Sequence, residues 1–205
     1  MAASLCTMCP KLSKDDCSRC GEISYCSRDC QEKDWKVHSV ICTVYNEFDK
    51  NSRPSLNHHL AFVFPEPLDS TLDGRTEPKL VWIESRYAED MKCYVVDEEQ
   101  VSHAMRNGQH IIKELVGFLD NKSEPTSQDK FMLLWSDRYF QVDFPPRNRI
   151  IDELAIETKW RGPVLIQTGY GDYRCPTRYD NMSVRDMHRI AKFFNEFPFQ
   201  GPSYY

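Results

Sequence analysis

Beyond residue 58 the chain alternates short apolar runs with polar breaks, and the period of each run predicts an element. Leu60–Phe64, Leu80–Glu84 and Met91–Val96 are brief runs rich in Val, Ile, Phe, Tyr and Trp, which suits strands. Glu98–Arg106 has helical spacing, with Asp97, Glu98 and Glu99 in the turn where the helix dipole favours acids. Ile111–Leu119 is also expected to be a helix, with Ile111, Ile112, Leu115, Phe118 and Leu119 on one stripe. Asp120–Lys130 is polar and reads as a loop. Phe131–Trp135 and Tyr139–Phe144 are expected to form a hairpin across Ser136–Asp137, ended by Pro145 and Pro146. Arg147–Glu157 follows as a helix and Gly162–Gln167 as a strand. Ser183 is a suitable N-cap for a last helix, Ser183–Phe197, with Val184, Met187, Ile190, Ala191 and Phe194 inward.

Composition divides the chain into three. Residues 1–45 are cysteine-dense, residues 46–58 are polar with Pro54 and read as a linker, and residues 59–205 hold most of the apolar content. The element order makes the third region an α+β domain of unknown topology. No apolar run is long enough to cross a bilayer, and the N-terminus lacks the features of a secretory signal, so an intracellular protein of the nucleus or cytoplasm is expected.

That expectation changes the meaning of the nine cysteines. In a reducing compartment, clustered thiols are metal ligands more often than disulfides, and seven of the nine lie within the first 42 residues. In order the candidates are Cys6, Cys9, Cys17, Cys20, Cys26, Cys30, His38 and Cys42. Eight nitrogen and sulfur donors suit two closed tetrahedral zinc sites. A C-x2-C turn brings two sulfurs onto one ion, and Cys26/Cys30 and His38/Cys42, each four apart, can share one face of a helix. Spacing alone leaves two arrangements open. One is sequential: Cys6, Cys9, Cys17, Cys20, then Cys26, Cys30, His38, Cys42. The other is interleaved: Cys6, Cys9, Cys26, Cys30, and Cys17, Cys20, His38, Cys42.

The stretch from Tyr25-Cys26 through Cys30-Gln31 and Trp35 to His38 and Cys42 resembles the MYND zinc finger, with all eight ligand positions matching. The resemblance covers about 37 of the 205 residues and implies the interleaved, cross-braced arrangement around two Zn²⁺. RING and PHD fingers have longer gaps and a late C-x2-C pair, and fit worse. MYND fingers bind proline-containing peptides of the Pro-x-Leu-x-Pro kind, so the resemblance implies a peptide groove at Ser24, Gln31 and Trp35. Against this stands the reading of Trp35 as the aromatic anchor of the finger's own small core. Glu22–Tyr25 is expected to be a short strand with an exposed edge, suited to strand addition by a peptide. A unit of about 40 residues has too small a core to fold unaided, so metal is expected to drive its folding.

Charge narrows the partners. The chain carries a net −5, and residues 1–45 hold six acidic and six basic side chains. Seven thiolates against two Zn²⁺ then leave the finger negative, which disfavours DNA. Four protein ligands per ion leave no open position for catalysis. A SET methyltransferase lacks its motifs here: Asn57-His58-His59-Leu60 is not the cofactor string. Residues 59–205 resemble the bodies of uncharacterised fungal proteins with an N-terminal MYND finger, through Phe62–Pro65, Leu80–Glu84 and Trp160–Val164. That resemblance brings no activity.

Weaker signals favour bland readings. Gly169-Tyr170-Gly171 reads as a turn rather than a nucleotide loop. Cys93, a conceivable nucleophile with His103 or His110, reads as a buried free thiol, and Cys175 as a loop thiol. His58 and His59 are expected to be solvated, and His188 to lie on the polar face of the last helix. The chain thus reads as a non-enzymatic, regulatory or transcription-associated adaptor. The alternatives are an enzyme in residues 59–205 targeted by the finger, or a ubiquitin-ligase adaptor.

Overall fold

A computed structural model describes residues 4–65, 77–105, 111–118, 130–137, 147–155 and 160–196. The cysteine-rich segment forms a two-stranded ribbon, β1 (Asp15–Asp16) and β2 (Ser24–Tyr25), and a long helix, α1 (Arg28–Glu47). Ser27 caps α1 by accepting the Cys30 N–H at 3.3 Å, and Arg28–Glu32 and Asp29–Lys33 pair along its exposed side. Cys26 stands just before that cap, so of the two pairs expected on helical faces only His38/Cys42 lies wholly within a helix.

The body is built on a seven-stranded sheet in which every pairing is antiparallel. Its strands are β3 (His58–Phe64), β4 (Lys79–Ala88), β5 (Cys93–Val96), β6 (Ile111–Phe118), β7 (Lys130–Asp137), β8 (Val164–Asp172) and β9 (Cys175–Asp180). The order is β5-β4-β3-β8-β7-β6, and β9 pairs with the far half of β8. Among the described residues three more α-helices accompany the sheet: α2 (Glu98–Met105), α3 (Arg149–Leu154) and α4 (Met187–Glu196). The body is thus mixed helix and sheet, as expected.

Strand alternation decides what covers each face. On one side Leu60, Phe62 and Phe64 of β3, Met132 and Leu134 of β7, and Val164 and Ile166 of β8 pack beneath α1, α3 and α4. On the other, Ala61, Val63, Leu133 and Leu165 pack with Val101 and Met105 of α2. The first of these cores does not stop at the body. It runs without a break into the cysteine-rich segment through Cys17, Ile23, Tyr25, Ile41, Cys42 and Tyr45. The finger's helix therefore serves as one of the layers that cover the sheet.

The stretch expected as a linker is tied down along its length. Phe48 packs on Trp82 with ring centroids 5.6 Å apart, Lys50 pairs with Glu22 at 2.6 Å, and Arg53 donates to the His58 carbonyl at 2.7 Å. His58 and His59, expected to be solvated, are half-buried in β3. His58 Nδ1 lies 2.8 Å from the Ser55 hydroxyl, and the His59 ring sits 6.5 Å from that of Tyr179.

Four other expectations are corrected. Ile111–Phe118 is a strand paired along β7, not a helix. An apolar run this short satisfies both periods, and the open edge of β7 settles the choice in favour of the strand. The turn expected at Ser136–Asp137 is absent, because both residues continue β7 and pair with β6. The partner strand expected at 139–144 and the loop at 120–129 lie outside the described residues.

Gly169-Tyr170-Gly171 is neither turn nor nucleotide loop but part of β8. A Cβ on Gly169 would stand 2.5 Å from Phe131 Cζ and 2.9 Å from the Arg178 carbonyl, so this strand position admits only glycine. The register shifts between Tyr170 and Gly171, where Pro176 of β9 lies opposite. Cys175, expected in a loop, opens β9.

Candidate metal centres

The eight candidate ligands converge as two groups. The donor atoms of Cys6, Cys9, Cys26 and Cys30 all lie within 4.8 Å of one another, and so do those of Cys17, Cys20, His38 and Cys42. The chain is therefore interleaved, not sequential. Each group takes one pair from the N-terminal turns and one from the region of α1, so closing both sites pins the ribbon against the helix.

The donor geometry fits zinc. Cys9 and Cys26 sulfurs are 3.5 Å apart, Cys26 and Cys30 3.6 Å, and Cys17 and Cys42 3.8 Å. A tetrahedron with Zn–S bonds of about 2.3 Å has edges of about 3.8 Å. Cys20 Sγ lies 3.3 Å from His38 Nε2, which identifies Nε2 as the donor atom of the imidazole.

Proton affinities tell the same story. Burial alone would raise Cys6, but hydrogen bonds from the backbone of Cys26 and Met8 outweigh it and bring the thiol down to about 6. Cys26 is pushed up to about 12, chiefly by sharing a hydrogen bond with Cys9. Cys42 also rises to about 12, through burial and the neighbouring Cys20 charge. Each group can ionise in part but cannot hold all its thiolates unaided. A divalent cation removes that obstacle by displacing the protons. Four protein donors then saturate each ion.

The histidine is held from behind. With Nε2 reserved for metal, the proton sits on Nδ1, which lies 2.9 Å from the Tyr25 hydroxyl. Tyr25 in turn donates to Asp34 Oδ2. The other Asp34 oxygen meets Nε2 of His188 on α4. Asp34 is only 1% exposed. Burial would raise its carboxyl, but the close approach of His188 and the hydrogen bond from Tyr25 more than compensate, and its pKa lies below the ordinary range. Burial lowers His38, and the Asp34 charge only partly offsets this, which keeps the imidazole neutral and fit to bind metal. Burial and the bond to Asp34 hold the Tyr25 hydroxyl far above its usual value, so it stays protonated as the middle of the relay.

The three residues expected to form a peptide groove are placed unequally. Gln31 and Trp35 lie four apart on α1, and Trp35 is 43% exposed. Its ring meets His38 edge-on at 5.7 Å, and the Arg19 guanidinium stands 6.0 Å from it. Ser24 is buried and donates to Asp16 at 2.6 Å. The β2 edge expected to be open is partly taken, because the Ser24 carbonyl accepts the Thr7 N–H at 2.9 Å. Elsewhere, Cys93 is buried beside Cys175, and burial followed by that neighbour raises its thiol. Such a thiol is a poor nucleophile.

A ribbon and a helix braced across two interleaved tetrahedral sites define a cross-braced zinc finger of the structural type. Residues 6–42 match the MYND finger family, and this segment of the chain is a MYND finger with two cysteine-rich zinc sites. The segment is 46% identical over 37 residues to the zinc finger MYND domain-containing protein 10 homolog of Drosophila melanogaster, covering 18% of this chain and 8% of that protein. It is 42% identical over 43 residues to deformed epidermal autoregulatory factor 1 of the same organism, covering 21% and 8%. Programmed cell death protein 2 of Mus musculus is 38% identical over 65 residues, covering 31% and 18%. These similarities thus span less than a fifth of each relative. No solved structure matches. Among the described residues no helix is long and apolar enough to cross a membrane.

Proposed function

We propose that this chain is a regulatory adaptor whose finger captures a protein partner by a proline-containing segment laid on Gln31 and Trp35. The observation that carries the reading is the 43% exposure of Trp35 on a helix whose other face is committed to metal and core. A large ring held at one edge by a zinc ligand, with an amide one turn before it, offers proline a rigid surface at little entropic cost. MYND fingers are protein-interaction modules, and the similarity to a protein named an autoregulatory factor favours a regulatory setting. The burial of Ser24 and the pairing of its carbonyl with Thr7 favour capture by side chains over strand addition.

Titration of a Pro-x-Leu-x-Pro peptide into the zinc-loaded chain, its Trp35→Ala variant and its Ser24→Ala variant tests the reading. Truncating an anchor aromatic is expected to weaken binding by about 2 kcal/mol, some 30-fold. Ser24→Ala is expected to leave affinity within about 2-fold. Equal affinity of wild type and Trp35→Ala would remove Trp35 from the site.

A further inference from the structure

We infer that the body supplies part of the second zinc site: His188 of α4 is a positioning residue that sets how firmly the Cys17/Cys20/His38/Cys42 site keeps its metal. The finger by itself provides His38, Tyr25 and Asp34 of the relay behind that site. Asp34 has two carboxylate oxygens, and the finger occupies only one. Tyr25 takes Oδ2, while Oδ1 meets Nε2 of His188, a residue far along the chain that reaches it only because α4 packs beside α1. Without His188 the buried carboxylate loses the charged neighbour that faces Oδ1. It can then recover a partner only by swinging away from Tyr25, which frees the His38 ring to turn. Residues behind a metal ligand commonly govern affinity in this way. Arg185, one turn earlier, reinforces the same seam by donating to the Glu22 carbonyl at 3.2 Å.

The arrangement makes the two sites unequal. At the first, three of the four ligands, Cys9, Cys26 and Cys30, are part-exposed. At the second, three of four ligands are buried and the relay ends on α4. Zinc should therefore leave in two phases, the all-cysteine site first and the histidine-containing site later, with only the later phase sensitive to residue 188. This holds whichever partner the finger captures.

The experiment follows zinc release from the full-length, two-zinc protein into excess chromophoric chelator. The cobalt-substituted protein assigns the phases, because an all-sulfur site and a site with one nitrogen donor differ in their ligand-field bands. His188→Ala is expected to speed the slow phase on the order of 10-fold while leaving the fast phase within about 2-fold. His188→Gln, whose amide nitrogen stands near the position of Nε2, is expected to recover most of the retention. Lys192→Ala, on the exposed side of the same helix, is expected to behave as wild type. Should the alanine variant not fold, His188→Asn, too short to reach Asp34, decides in its place. The inference is overturned if the variant lacking the contact releases both metals at wild-type rates. It is also overturned if both phases quicken equally, or if the glutamine variant loses metal as fast as the alanine.

Discussion

Tyr45, in the last turns of the finger's helix, meets Phe62 of the central strand β3 edge to face, with ring centroids 6.3 Å apart and planes at 86°. One ring follows the last zinc ligand by three positions, and the other lies in the middle of the body's sheet. The contact makes the stability of the finger a property of the body as well. Tyr45→Ala is expected to lower the unfolding free energy of the body by about 3 kcal/mol, in line with truncation of a buried aromatic. Urea unfolding read from zinc release and from amide signals of β3 and β8 should shift both midpoints together. A variant whose body midpoint stayed in place would show that the two parts unfold separately.

Metal removal should spread beyond the finger for the same reason. Cys17, Cys42, Ile41 and Tyr45 belong to the core that covers Leu60, Phe62 and Phe64. A strong chelator is expected to withdraw two zincs per chain and unfold residues 1–45. It should also deprotect amides of β3 and β8 and expose apolar surface to a reporter dye. Native-state hydrogen exchange with and without chelator checks this, and unchanged protection in β3 would count against it.

A pH dependence should arise from His59. Burial, aided by the Arg53 charge, lowers its pKa to about 4, against about 6.5 in an unfolded chain. Between those values the unfolded state binds more protons, so stability rises with pH. The contribution is complete above about 6.5 and is lost as pH falls toward 4. One proton sets a ceiling of about 1.4 kcal/mol per pH unit. His59→Gln should flatten the fall between pH 7 and 5 relative to wild type. Comparing the two proteins at each pH removes the shared loss from thiolate protonation. Identical slopes would exclude His59 as a source.

The legible parts of this chain are those whose physics is local. The eight ligands could be read because zinc imposes short, fixed spacings. The interleaving came from resemblance, since spacing permits either pairing. Strands such as β3, β4 and β8 were visible as β-rich apolar runs. Their neighbours were not, where a local signal pointed two ways. Ile111–Phe118 carries enough apolar residues for a helical stripe and for alternation alike. Gly169 and Gly171 look like a turn until Phe131 claims the space that a side chain at Gly169 would fill. Cys175–Asp180 is a polar strand with a proline, and only its pairing with β8 reveals it. His188 has the spacing of an outward residue, and its partner, Asp34, is distant in sequence but adjacent in space.

The sharing of one core between finger and sheet also divides the finger into two histories. Its underside, with Ile41 and Tyr45, must change in step with β3, so grafting a foreign finger here would leave the sheet badly roofed. On its outer side, which carries Gln31 and Trp35, the Trp35 ring meets His38 and the Arg19 guanidinium and stays 43% exposed. That outer side can therefore change without disturbing how the protein stands, and a cut at residue 45 would spoil both halves.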